Sequence, residues 1–153
     1  MTREIGEIDR RLLALLQEDA SLSADALADR IGLSRNACWR RVKNLEDAGI
    51  IRKRVALLDA ELVGLGLTAF VLVRTNEHSD IWAERFGRAV GAMPEVTGAY
   101  RMSGDLDYVL RVAVADVKAY DAFYQRLTRK LRLNDISASF VMEEIKDTTA
   151  LPI

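Results

Sequence analysis

The sequence predicts an α+β protein, because two kinds of hydrophobic period occupy separate parts of its 153 residues. Up to about residue 50 the apolar residues recur at helical spacing. After residue 67, apolar β-branched runs alternate with helical stripes in the order β-α-β-β-α-β. Charge divides the chain as well: residues 35–54 hold seven basic side chains against two acids, whereas the formal net charge of the whole is −1.

The first helix is predicted from Ile8, Leu12, Leu15 and Leu16, which form one apolar stripe. Ser23 is placed to cap a second helix, in which Ala26, Leu27 and Ile31 recur until Gly32 interrupts them; Leu33 follows as a buried turn residue. Ser34 is placed to cap a third, ended by Gly49. In that helix Cys38, Val42 and Leu45 fall at i, i+4 and i+7, so they share one face and turn Asn36, Trp39, Arg40 and Lys43 to the other. Two short helices joined by a tight turn, the second one basic, are the layout of a helix-turn-helix DNA reader.

The outward residues suit that task. Asn can bond an adenine edge twice, Arg can do the same to guanine, and Lys or Arg can neutralise phosphates. The expected DNA-facing set is Ser34, Arg35, Asn36, Trp39, Arg40, Arg41 and Lys43 on the third helix, with Arg52, Lys53 and Arg54 beyond it. A merely solvated charged face is the alternative, and the concentration of positive charge in one segment of an otherwise acidic chain opposes it. So few cations on a single half-site would bind weakly in physiological salt, so DNA binding is expected to require at least a homodimer.

After Gly49 the segment IIRKRVALLD alternates basic and apolar positions and reads as a strand, either a wing or a linker. Asp59 can cap one turn over 60–63, and Gly64 and Gly66 mark the boundary. The expected division is therefore 1–50, a strand or linker over 51–66, and 67–153. In the second part, strands are expected over Thr68–Thr75, Val96–Met102, Tyr108–Val114 and Ile136–Ile145. Helices are expected on the stripe Trp82, Phe86, Ala89, Val90 and Met93, stopped by Pro94, and on Val117, Tyr120, Tyr124, Leu127 and Leu131. This order closes as a ferredoxin-like antiparallel sheet with both helices on one face. The runs AFVLV, YVLRVAV and FVM are apolar at successive positions, so the other face should be covered too, most simply by a second copy.

Other chemistry finds little support. One cysteine excludes an internal disulfide and fits a reducing cytoplasm; Cys38 reads as a small core hydrophobe rather than a redox sensor. His78 has no second histidine or cysteine near it, so no metal site is expected, and it reads as a surface residue before a helix. There is no nucleophile paired with a histidine and no glycine-rich phosphate loop, so neither an enzyme nor a cofactor is expected. No run of about 20 apolar residues or signal-peptide pattern suggests a membrane.

Four separated segments, IDRRLLALLQEDA (8–20), IGLSRNACWRRVKNLEDAGII (31–51), SGDLDYVLRV (103–112) and FVMEEIK (140–146), make the chain resemble the leucine-responsive regulatory protein/AsnC family. The resemblance implies a transcription regulator that forms dimers and assembles further into tetramers, octamers or hexadecamers. It also implies an amino-acid effector bound between dimers, near the turn Ser103, Gly104, Asp105, Leu106, Asp107 and near Ser137 and Ser139 on the last strand. Those residues suit a zwitterion in their own right: Asp105 and Asp107 as acceptors for the ammonium, the Gly104 N–H and the serine hydroxyls as donors to the carboxylate. Arg101, Met102 and Tyr108 flank the turn and complete the expected site.

Departures from the family pattern carry information. Ala37 stands before the cysteine where many members have Pro, which leaves an extra N–H in the first turn of the helix, and Arg101 replaces a residue that is often apolar. The segments GLGLTAFVLV and DTTALPI resemble the branch that regulates branched-chain amino-acid breakdown or cysteine detoxification, which suggests cysteine or a branched-chain amino acid as effector. A DNA-bridging architectural protein with little base reading is the competing functional reading.

Overall fold

In the computed structural model, which describes residues 5–153, the chain packs as two units. The first runs to Leu57 and includes Lys146–Ile153; the second is Leu58–Ile145. This grouping differs from the expected division at both joins. Ile50 and Ile51 pack on the helical core, which draws the start of the connecting segment into the first unit. Leu151 bonds to Gln17 and brings the last residues of the chain with it.

The first unit holds three helices, α1 (Glu7–Glu18), α2 (Ala24–Ile31) and α3 (Arg35–Asp47). Both expected caps form: Ser23 Oγ accepts from the Ala26 N–H at 3.2 Å, and Ser34 Oγ from the Ala37 N–H at 3.3 Å. The second bond uses the N–H that a proline at residue 37 would lack. Gly32, at φ +72°, turns the chain between α2 and α3 in the left-handed region that glycine enters without penalty. The core joins Leu12, Leu13, Leu27, Ala28, Ile31, Cys38, Val42 and Leu45. On α2 the inward set is thus Leu27, Ala28 and Ile31; Ala26 is only half-buried.

The second unit contains β1 (Leu67–Arg74), α4 (Asp80–Gly91), β2 (Val96–Arg101), β3 (Tyr108–Val114), α5 (Val117–Lys130) and β4 (Asp135–Phe140). The strands lie in the order β2-β3-β1-β4, every pair antiparallel, which is the ferredoxin-like arrangement. Both helices pack on the face formed by Ala69, Val71 and Val73 of β1 and Leu110, Val112 and Val114 of β3, through Trp82, Phe86 and Val90 of α4 and Tyr120, Phe123 and Leu127 of α5.

The opposite face carries Phe70 and Leu72 beside Val109, with Tyr100 next in register, and is flanked by Arg111, Ser137 and Ser139. Phe70 is 39% and Tyr100 53% exposed. The Tyr100 ring lies across Gly98, where an added Cβ would come within 2.8 Å of its hydroxyl. Glycine at 98 therefore gives the ring its seat.

Two strand expectations fail. Residues 51–58 form no strand within the chain, because no described segment pairs with them, and Val55, Leu57 and Leu58 stand exposed. The last strand ends at Phe140 rather than Ile145: the Val141 N–H still reaches Thr68 O at 2.9 Å, and beyond it Leu67 of β1 pairs with Val114 of β3 and with no residue after β4. The turn after Asp59 forms as expected, with Asp59 Oδ1 accepting from the Leu62 N–H at 3.0 Å.

Candidate DNA interface and effector site

On α3 the buried residues are Cys38, Val42 and Leu45, and this single constraint turns Arg35, Asn36, Trp39, Arg40 and Lys43 outward. Trp39 is 60% exposed and lines a groove of about 820 Å³ with Leu27, Val42, Lys43, Arg52, Lys53 and Arg54. The indole therefore stands on the open side of the helix.

Charge count and available charge differ. Arg35 lies 3.6 Å from Asp25, Lys43 3.0 Å from Asp47, and Arg54 3.0 Å from Glu46. These pairs are substantially exposed, so water and salt weaken them and a phosphate can compete for the cation. Arg41 differs from the rest. It turns back to Asp9 of α1 at 2.9 Å in a half-buried pair, so it is spent on holding α1 against α3. Arg40, Arg52 and Lys53 have no ion-pair partner among the described residues. Burial pushes the Cys38 thiol above its ordinary pKa, which keeps it protonated and unreactive.

In the second unit the expected effector residues separate. The hairpin after β2 closes with Met102 N–H to Asp107 O at 2.8 Å, and Gly104 sits at φ +110°, where a side chain would be strained. Arg101, Met102, Ser103, Gly104 and Asp105 are exposed around it. Asp107 is committed elsewhere: its Oδ2 accepts the Thr75 N–H at 2.8 Å, and His78 Nδ1 lies 3.7 Å from its Oδ1. Tyr108 turns its ring to the helices, with centroids 4.2 Å from Phe86 and 5.5 Å from Trp82, because its position in register puts it on the covered face. It is a core residue at the edge of the site.

Ser137 and Ser139 lie on β4, at one edge of the sheet, paired in register with Leu72 and Phe70. The hairpin joins β2, at the other edge, to β3. Two strand spacings, roughly 10 Å, separate β3 from β4. One residue absent from the sequence reading spans that gap: Arg74 donates from Nε to Asp105 O at 3.0 Å and from a terminal nitrogen to Asp135 Oδ2 at 2.7 Å. Arg74, Thr75 and His78 are thus the supports of the hairpin. Their only sequence signal is a polar cluster at the end of an apolar strand.

A model of the Lrp/AsnC ligand binding domain matches residues 68–151, and a winged helix-turn-helix DNA-binding model matches residues 5–52. The chain belongs to the Lrp/AsnC family. It is 55% identical over 150 residues to the DNA-binding transcriptional activator DecR of Escherichia coli, covering 97% of this chain and 99% of the relative. It is 45% identical over 153 residues to the glutamate uptake regulatory protein of Zymomonas mobilis, covering 100% and 93%. Among solved structures it superposes on an AsnC family regulator from Agrobacterium tumefaciens with TM-score 0.93 at 50% identity, covering 96% of each chain. A transcriptional regulator of Neisseria meningitidis, solved as a complex with L-methionine, superposes with TM-score 0.92 at 38% identity, covering 97% of each.

The two matched regions correspond to the two architectures described above. This Lrp/AsnC protein is a helix-turn-helix transcription regulator with an Lrp/AsnC ligand-binding domain, and the relatives it matches are transcription regulators. No described helix is long and apolar enough to cross a membrane.

Proposed function

We propose that this regulator binds a two-fold DNA site as a homodimer in the cytoplasm, with Asn36 and Arg40 reading base edges and Lys43, Arg52 and Lys53 holding phosphates. The observation that carries the reading is the outward face of α3, where Arg40 has no acidic partner among the described residues and stands beside the exposed Asn36. Dimerisation rests on the sheet face of Phe70, Leu72, Tyr100 and Val109, an apolar area that a second copy covers by two-fold pairing. Assembly of such dimers into tetramers or octamers follows from the family pattern.

The effector is a small amino acid, with cysteine, the branched-chain amino acids and methionine as the candidates. Its ammonium is offered the exposed Asp105 carboxylate, and its carboxylate the Gly104 N–H, Arg101 and the hydroxyls of Ser137 and Ser139. Because the hairpin and β4 sit at different edges of one sheet, a single chain supplies only part of this set, and a second copy supplies the remainder. An amino acid bound there shifts the balance among assemblies by its differential affinity for them.

Fluorescence anisotropy with DNA from upstream of the protein's own gene tests the first half. Specific DNA should bind at least a hundredfold more tightly than a scrambled duplex, with affinity falling steeply as salt rises. Equal affinity for both duplexes would replace this reading by a DNA-bridging architectural role. A thermal-shift screen of the twenty amino acids tests the second half, since a ligand that binds only the native state raises Tm.

A further inference from the structure

Among the described residues of α1, α2 and α3, Trp39 is the one large apolar side chain left exposed. It does not stand at the centre of the outward face. Asn36, Arg40 and Lys43 fall at i, i+4 and i+7 and share a face, whereas Trp39 lies roughly 60° round the helix from Asn36 and roughly 100° from Arg40. On that flank it borders the groove of about 820 Å³ that α3 forms with Leu22–Ala24 and Ile51–Arg54. The groove has two kinds of lining. Its apolar side chains, Leu22, Leu27, Val42 and Ile51, are buried or half-buried, and its cations, Lys43, Arg52, Lys53 and Arg54, are exposed. Its two acids are each held by one of those cations in substantially exposed pairs, Asp47 by Lys43 and Glu46 by Arg54, both at 3.0 Å, which a competing phosphate can open.

Such a lining fits an occupant that is apolar on one side and anionic on the other. A strand of DNA backbone is both, with a deoxyribose ring between two phosphates. Base edges suit it less, because they are told apart by patterns of donors and acceptors, and an indole has one donor and no acceptor. We infer that Trp39 is a backbone plate: its ring packs on a deoxyribose of the strand seated in this groove, its Nε1–H donates to a phosphate oxygen, and Lys43, Arg52 and Lys53 neutralise the phosphates on either side. A rigid ring covered on binding supplies much contact area at little cost in side-chain entropy, so the plate adds affinity without adding base preference. It divides the labour on α3 between a central face that reads and a flank that grips. The inference rests on DNA binding through α3, and not on base reading by Asn36 and Arg40.

The chain has two tryptophans and Trp82 is buried, so quenching of fluorescence by acrylamide, a neutral quencher, reports on Trp39. The probes are a duplex from upstream of the protein's own gene and a scrambled duplex of the same composition, at low salt, where both bind the full chain. Quenching should fall about threefold on either duplex as the ring is covered. Trp39→Ala should weaken binding to both duplexes by about tenfold and leave their ratio and Tm unchanged; Trp39→Phe should recover part of the loss, since it keeps an apolar ring. Replacing thymine by uracil, which deletes the C5-methyl, should affect the parent chain and Trp39→Ala alike. Undiminished quenching in the complex would overturn the inference. So would a changed ratio in Trp39→Ala or a uracil penalty confined to the parent chain, either of which puts the ring on base edges. A ring already shielded in the free protein would assign it to a contact between copies and overturn the plate as well. Equal affinity of the parent chain for the two duplexes, with Trp39 covered on both and lost alike in Trp39→Ala, would refute base reading and uphold the plate; binding to neither would refute both.

Discussion

The recognition helix and the hairpin at Met102–Asp107 are both short polar segments selected by residue type, yet only the helix presents its residues as one set. On α3 three buried side chains on a rigid helix determine where every other side chain points. The hairpin has no such rule. Its Asp105 faces solvent, its Asp107 is turned inward onto Thr75, and the serines expected beside them lie across the sheet. A site on one helix is complete within one period of the sequence, whereas a site at a sheet edge depends on neighbours supplied by distant strands or by another copy.

The largest test of this contrast is whether the two units stand alone. Phe123→Ala should cost about 3–5 kcal/mol in the sheet unit, and Leu12→Ala about 2–5 kcal/mol in the helical unit, since both side chains are fully buried. Calorimetry of the two variants should move different parts of the unfolding profile. A single transition shifted alike by both would make the protein one cooperative body.

Next in size is the difference between neighbouring arginines. Arg40→Ala should weaken binding to specific DNA by about 1–3 kcal/mol, with scrambled DNA much less affected and Tm unchanged. Arg41→Ala should instead lower Tm, because it leaves Asp9 without its partner. A loss of base discrimination in Arg41→Ala with unaltered Tm would place Arg41 on the DNA.

The same comparison applies to the hairpin. Asp107→Ala strands the N–H of the buried Thr75 and should cost about 1–3 kcal/mol of stability, measurable by urea denaturation. Asp105→Ala should leave the denaturation midpoint in place and abolish the amino-acid thermal shift. Equal destabilisation by the two would remove Asp105 from the binding set.

The smallest effect concerns Glu95, which pairs with Arg126. Burial pushes its carboxyl up, but the Arg126 hydrogen bond, its own backbone N–H and the Arg126 charge together outweigh burial and hold it below its ordinary value of 4.5. A group depressed in the folded state contributes stability above its unfolded pKa and loses it as pH falls through the folded value. Glu95→Gln should therefore lower Tm at neutral pH and flatten the decline below about pH 4.5. An unchanged acid limb would show that the pair contributes nothing.

Much of the fold could be read from the residues. Ser23, Ser34 and Gly32 announce their caps and turn through local chemistry, and the apolar, β-branched runs TAFVLVRT and YVLRVAV place two strands within a residue or two. The readings that failed depend on partners. Residues 51–58 alternate like a strand but find no ladder among the described residues, and the final strand leaves β1 after Phe140, with Leu67 of β1 paired only to β3. Arg74 showed only as part of the polar end of an apolar strand, and its role as a support of the hairpin stayed hidden because its two partners lie 31 and 61 residues away.

The residues alone determined the helix-turn-helix unit, the strand and helix order of the second unit, and the outward face of α3, because periodicity and capping act over a few residues. Tertiary structure decided which charges remain free, which face Tyr108 occupies, what Asp107 holds and where Lys146–Ile153 attaches. Each of those depends on register or on a hydrogen bond between segments far apart in the chain, and no local pattern encodes such a pairing.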